Sequence, residues 1–113
     1  MKQITLYYDP DSYRGKQTLA LAQSNGVKIH DVDFTENPLT ATQILKCVEE
    51  CGLTAHDLVE EVKHYDVDFP LKEGGNEDWA KFLSQNPQLI KYPIAVKDKH
   101  YVVIKAPLDI TRL

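Results

Sequence analysis

Cysteine is scarce in this chain, and the little there is carries no redox or zinc spacing. Cys47 and Cys51 stand in the run Cys-Val-Glu-Glu-Cys, which is neither a Cys-x-x-Cys motif nor half of a zinc pattern. On a helix this spacing sets both thiols on one face, one turn apart, and a disulfide between them would be geometrically poor. The histidines, at 30, 56, 64 and 100, fall on separate segments without His-x-x-His or His-Glu-x-x-His spacing. No metal site and no cofactor is therefore expected. Asp9-x-Asp11 opens like a calcium loop, but Arg14 stands where that loop needs glycine and Ala20 where it needs glutamate. An excess of positive charge is also missing. Lys and Arg number 13 against 17 Asp and Glu, a net charge of −4, so direct binding to nucleic acid or to an anionic membrane is not expected. No apolar run approaches the length of a membrane-spanning helix. Lys2 and Gln3 pass at once into a strand-like segment rather than a signal sequence. The cytoplasm is the expected compartment. Internal repeats and low-complexity stretches are absent.

What is present suits one folded unit. With 113 residues and 42% hydrophobic content, the chain can bury a core without disulfides or metals. Ile4, Leu6 and Tyr8 alternate with Thr5 and Tyr7, which predicts an opening strand. Asp9-Pro10-Asp11-Ser12 breaks it, and Asp11 or Ser12 is a natural cap for a helix carrying Thr18, Leu21 and Ala22 inward. Asn25-Gly26 ends that helix, and Val27 to Phe34 reads as a second strand closed by Asn37-Pro38. After Leu39-Thr40 comes a helix over 41–51 with the stripe Ile44, Cys47, Val48, Cys51. Gly52 stops it. Thr54 is expected to cap a further helix with Leu58, Val59 and Val62, followed by a loop over 64–76 that contains Pro70 and Gly74-Gly75. Asn76 and Glu77 open another helix with Trp79, Phe82 and Leu83 on its apolar face, ending near Asn86-Pro87. Ile94 to Val96, a turn over 97–100, and Tyr101 to Ile104 form an antiparallel hairpin, with a short helix or tail from Pro107. The order is βαβ, a helical middle over about 38–86, then ββα. That is an α/β, thioredoxin-like layout over a single domain, 1–113.

Three stretches resemble the arsenate reductase/Spx-like family in the right order. Ile4 to Leu19, with Tyr-Asp-Pro-Asp-Ser, is similar to the family's strand, Asn-Pro-x-Cys loop and first helix. Asn37-Pro38-Leu39 and the helix ending Cys51-Gly52-Leu53 match its second block. Asn86-Pro87-Gln88-Leu89-Ile90-Lys91-Tyr92-Pro93-Ile94 matches its Pro-x-Leu-Ile-x-Arg-Pro-Ile block. The departures gather where the chemistry should be. The family's nucleophilic cysteine falls on Ser12, and the second cysteine of its Cys-x-x-Cys members on Gly15. The arginine before the proline falls on Tyr92, another oxyanion-binding arginine on Glu60, and a third is matched at best by Lys105. A histidine sometimes found before the loop falls on Tyr8. The resemblance further implies a cis peptide bond at Tyr92-Pro93.

A serine cannot take part in thiol–disulfide exchange and acts as a nucleophile only beside a general base, which no motif here supplies. Ser12 reads first as a helix cap, and no catalytic residue is assigned. Arg14 and Lys16 lie near a helix N-terminus, where they are solvated cations or part of an anion site. Tyr92 and Pro93, with Tyr8 and Tyr13, would make an aromatic pocket rather than a cationic one. The candidate binding residues are therefore Tyr8, Ser12, Tyr13, Arg14, Lys16, Tyr92, Pro93 and Lys105. Cys47 and Cys51 read as core. The expected function is that of a monomeric, non-catalytic binding or regulatory protein with an unidentified protein partner or small ligand. Spx-like relatives, which act by contacting RNA polymerase, offer the precedent by analogy. The alternatives are a glutathione- or glutaredoxin-linked thiol oxidoreductase using other groups, and a transferase-like role in the aromatic pocket.

Overall fold

The structure, a computed structural model, describes residues 3–59 and 75–113. Strand β1 (Ile4–Tyr8) buries Ile4, Leu6 and Tyr8 on one side and turns Tyr7 to the other, as its alternation requires. Helix α1 (Tyr13–Ser24) starts where Ser12 adopts an extended backbone and its side chain accepts from the Gly15 N–H. It ends at Asn25, and Gly26, at φ +73°, takes the left-handed turn that glycine reaches without strain. Thr18 and Ala22 are buried, as is Gly15. Strand β2 (Ile29–Asp33) is shorter than the 27–34 run, because Val27 still bonds back to Ala22 at the helix end.

Helix α2 (Ala41–Cys51) has a reciprocal cap: the Thr40 hydroxyl accepts from the Gln43 N–H and the Gln43 side chain accepts from the Thr40 N–H. Gly52 closes it in the left-handed conformation, φ +68°. The helix expected after Thr54 is one 3-10 turn, Ala55–Leu58, after which Val59 bridges antiparallel to Ile90. That bridge draws the chain out of helical geometry at its first opportunity. Val62, His64, Glu60, Pro70, Gly74 and the expected loop up to residue 74 lie outside the described residues. Helix α3 (Asn76–Gln85) buries Trp79, Ala80 and Leu83, with Phe82 half-buried. A short 3-10 turn, Pro87–Leu89, leads to strands β3 (Ile94–Lys97) and β4 (His100–Val103), and a last 3-10 turn spans Pro107–Arg112. Asp98 and Lys99 have φ of 52° and 68°, the backbone of a tight hairpin turn matched to strand twist.

The sheet runs β2-β1-β3-β4, with β1 parallel to β2 and antiparallel to β3, and β3 antiparallel to β4. Its two faces are both covered. Leu6, Ala95 and Ile104 pack with Ala22 of α1 and Ile110 of the terminal turn. Ile94 and Val103 face the opposite way, onto Ile44, Cys47 and Val48 of α2, Leu58, and Trp79 and Leu83 of α3. The central helices thus form one layer and α1 the other, the thioredoxin-like arrangement. One expectation fails here. No cis peptide bond occurs among the described residues, so Tyr92-Pro93 is trans. The extended path is fixed on both sides: Lys91 N–H donates to Leu58 O (2.6 Å) and Pro93 O accepts from Ile104 N–H (2.9 Å).

Candidate functional site

The loop between β1 and α1 is closed by its own hydrogen bonds. The Asp9 carboxylate accepts from the Asp11 N–H (2.9 Å), the Asp9 carbonyl from the Ser12 N–H (2.9 Å), and the Ser12 Oγ from the Gly15 N–H (3.2 Å). Ser12 is thus a helix cap whose oxygen is engaged as an acceptor. Gly15 is there because nothing larger fits. A Cβ built on it would lie 2.9 Å from the Asp9 carbonyl oxygen and 3.0 Å from Tyr8 Cδ2, well inside the ~3.5–4.0 Å of comfortable carbon contact.

One turn into the helix, Arg14 reaches back to the segment before β3. Its Nη1 donates to the Lys91 carbonyl (3.3 Å), and its guanidinium lies 5.0 Å from the centroid of the Tyr92 ring. Lys91 Nζ lies 5.2 Å from the same ring. Two cations therefore gather on one aromatic side chain, a favourable arrangement when partly desolvated. Beside it opens a cavity of about 430 Å³ lined by Leu53, His56, Asp57, Val59, Lys91, Tyr92 and Lys105. The Asp57 carboxylate accepts from the Thr54 N–H at 2.8 Å. That bond, with help from the Thr54 side chain and then the charges of His56 and Lys105, holds it below the usual carboxylate range against the opposing effect of burial. The His56 ring packs edge-on to Trp79, with centroids 4.7 Å apart.

The structure brings together only part of the candidate set. Arg14, Tyr92 and Lys105 converge around the cavity or its aromatic wall, and buried Pro93 anchors the segment. Tyr13 is 75% exposed and Lys16 is exposed. Tyr8 is buried in the α1 face of the core, its hydroxyl donating to Asp31 Oδ2 at 3.3 Å. Burial first, then the charge of Asp31, pushes the Tyr8 hydroxyl pKa up. Tyr8, Tyr13 and Tyr92 do not form the expected aromatic pocket; the wall at Tyr92 is cationic. A second cavity, about 680 Å³, touches Tyr8 but is lined by Asp31, Asp33 and Glu36, the wrong charge for an anion. Sequence reasoning missed Leu53, His56, Asp57, Val59 and Lys91. They meet only because the 53–59 turn packs beside residues 91–92 and 105, and no local pattern reports that.

The thiols lie elsewhere, on α2. Cys47 is fully buried, and burial followed by the neighbouring Cys51 pushes its pKa up. Cys51 is half-buried and its Sγ donates to the Tyr101 carbonyl at 3.5 Å. Among the described residues no three His, Cys, Asp or Glu side chains are grouped to hold a metal, and no helix is long and apolar enough to cross a membrane.

Comparison with known proteins bears on this geometry. No protein-family model matches the chain. It is similar to the arsenate reductase of Yersinia enterocolitica, 28% identical over 99 residues that cover 85% of this chain and 70% of that protein. The uncharacterized protein YfgD of Escherichia coli strain K12 is 26% identical over 98 residues, 84% of this chain and 82% of that one. Among solved structures, the arsenate reductase from Vibrio cholerae superposes with a TM-score of 0.81 at 16% identity, covering 98% of this chain and 97% of the other.

Proposed function

From a chain that is homologous to proteins named arsenate reductase and carries their thioredoxin-like fold, we propose a protein that works by binding rather than by thiol chemistry. The observation that carries this is the start of α1. There Ser12, which we read as standing in the place of the family's nucleophilic cysteine, caps the helix with its oxygen. A thiolate at a helix N-terminus is activated because the N–H groups and nearby cations favour the charged form. A serine hydroxyl offers no thiolate and no disulfide exchange. Neither cysteine of α2 replaces it. Cys47 is sealed in the core with a raised pKa, and Cys51 is turned to a backbone carbonyl. On the same reading, Tyr92 and Lys105 stand at two of the arginine positions of the family's oxyanion receptor. Lysine presents a point charge where arginine presents a planar fork matched to an oxyanion. Two unpaired thiols suit a reducing compartment, and the cytoplasm is the place we assign for this work.

The test is turnover. Arsenate and a small disulfide are offered with glutathione and glutaredoxin to the natural protein and to a Cys47→Ala/Cys51→Ala variant whose fold is checked by circular dichroism. No turnover above the protein-free rate is expected for either. Clear turnover by the natural protein would sink the binding reading. Its loss in the variant would put the chemistry on α2, and its survival would point to a thiol borrowed from glutathione.

A further inference from the structure

We infer that the cavity beside Tyr92 takes a small organic carboxylate with an apolar body, held by Lys91 and Lys105 at the rim and by Leu53 and Val59 on the wall. This rests on the binding reading above and names the ligand class for it. Three features of the lining lead there. The volume, about 430 Å³, falls within the usual range for small-molecule sites. Among the described lining residues the charge is positive: two lysines stand against one aspartate, Asp57, one of whose oxygens already accepts from the Thr54 backbone. The wall is mixed, since Leu53 and Val59 share the lining with those cations. An inorganic oxyanion gains nothing from apolar surface, whereas a hydrocarbon body is drawn out of water by it.

Arg14 is not among the described residues that line the cavity. It donates to the Lys91 carbonyl and lies over Tyr92. The lysines act as point charges on an anion, so the preference for a carboxylate with an apolar body over an inorganic oxyanion comes from Leu53 and Val59 in the lining. Ser12 is likewise absent from the lining, so occupancy would need nothing from the α1 cap.

Trp79 supplies a reporter. It is the only tryptophan in the chain, and His56, which lines the cavity, packs on its ring at 4.7 Å between centroids. The experiment titrates the ¹⁵N-labelled full chain with benzoate, with benzamide (the same body without charge) and with inorganic phosphate (charge without the body). Trp79 emission is followed in parallel. Benzoate should shift the amide resonances of Leu53, His56, Tyr92 and Lys105 saturably and change the emission. Benzamide and phosphate should each bind at least tenfold more weakly. A Lys91→Gln/Lys105→Gln variant should weaken benzoate about tenfold while leaving resonances outside the cavity in place, and each single variant should fall between. No saturable shift would overturn the inference. So would shifts mapping elsewhere, phosphate binding as tightly as benzoate, or a double variant that binds normally. Thiol turnover in the assay above would sink the functional reading on which this one rests, whereas failed benzoate binding with no turnover would sink this one alone.

Discussion

Replacing Gly15 by alanine should destabilise the protein, although it puts a better helix former into α1. Propensity alone favours alanine by up to about 1 kcal/mol in a helix interior, and by less this close to the cap. Against it stands the missing space. The new Cβ would sit 2.9 Å from the Asp9 carbonyl oxygen and 3.0 Å from Tyr8 Cδ2. The first of these is backbone and cannot swing aside. Moving it also disturbs the bond from the Ser12 N–H to the same oxygen and, through Ser12, the cap on Gly15 itself. Overpacking of this kind costs about 1–3 kcal/mol, so the net loss should be about 1–2 kcal/mol, a drop in Tm of roughly 4–8 °C. Urea denaturation followed by far-ultraviolet circular dichroism measures it. Gly26→Ala is the control. That site is open, with nothing within 4 Å of a new Cβ, but its φ is +73°, so a loss of about 1–2 kcal/mol there reports left-handed strain alone. A Gly15→Ala variant as stable as the natural protein would refute the packing argument. If the argument holds, Gly15→Cys loses at least as much, and the second cysteine of a Cys-x-x-Cys pair cannot be installed without moving the loop.

Two further outcomes follow from the placement of the thiols and of Tyr8. A disulfide reagent such as Ellman's should label the native protein slowly and at Cys51 only, with Cys47 reacting after denaturation; Ser12→Cys should add one fast thiol at the start of α1, and rapid labelling of two thiols in the natural protein would contradict the burial of Cys47. The Tyr8 hydroxyl pKa is raised in the fold above its ordinary value of 10.0. Its contribution is therefore complete below pH 10 and is lost as pH rises through the folded-state value. Tyr8→Phe should remove that part of the alkaline slope while changing stability at pH 7 by no more than about 1 kcal/mol, because the bond to Asp31 is modest. Equal slopes for the two proteins between pH 9 and 11 would show that Tyr8 is not the group responsible.

The elements whose signals are local were legible in the sequence. Ser12 as cap, the stop at Asn25-Gly26 and the helix 41–51 ending at Gly52 all rest on groups within a few residues of one another. The hairpin was legible too, although its two left-handed residues are Asp98 and Lys99 rather than glycine. The segment after Thr54 was not, because its end is decided at a distance: Val59 bridges to Ile90 and Leu58 O takes the Lys91 N–H. The same long-range meeting creates the cavity, which is why Lys91, His56 and Leu53 carried no signal while Tyr92 and Lys105 did, through resemblance. Tyr8 misled in the opposite sense. It sits at the end of β1 beside the loop, but the alternation of that strand points its ring into the core.

Tyr92 organises the cations around it. An arginine there would set a third cation beside Arg14 and Lys91, a crowd that is tolerable only with an anion bound among them. The aromatic ring reverses the requirement. It draws the Arg14 guanidinium to 5.0 Å and the Lys91 ammonium to 5.2 Å with no anion present, and Arg14 completes its contact on the Lys91 carbonyl. The cations at the mouth of the loop are thereby satisfied within the protein. A thiolate introduced at residue 12 would find the Arg14 guanidinium already engaged. Lys91 and Lys105 both line the cavity beside Tyr92 rather than the helix start.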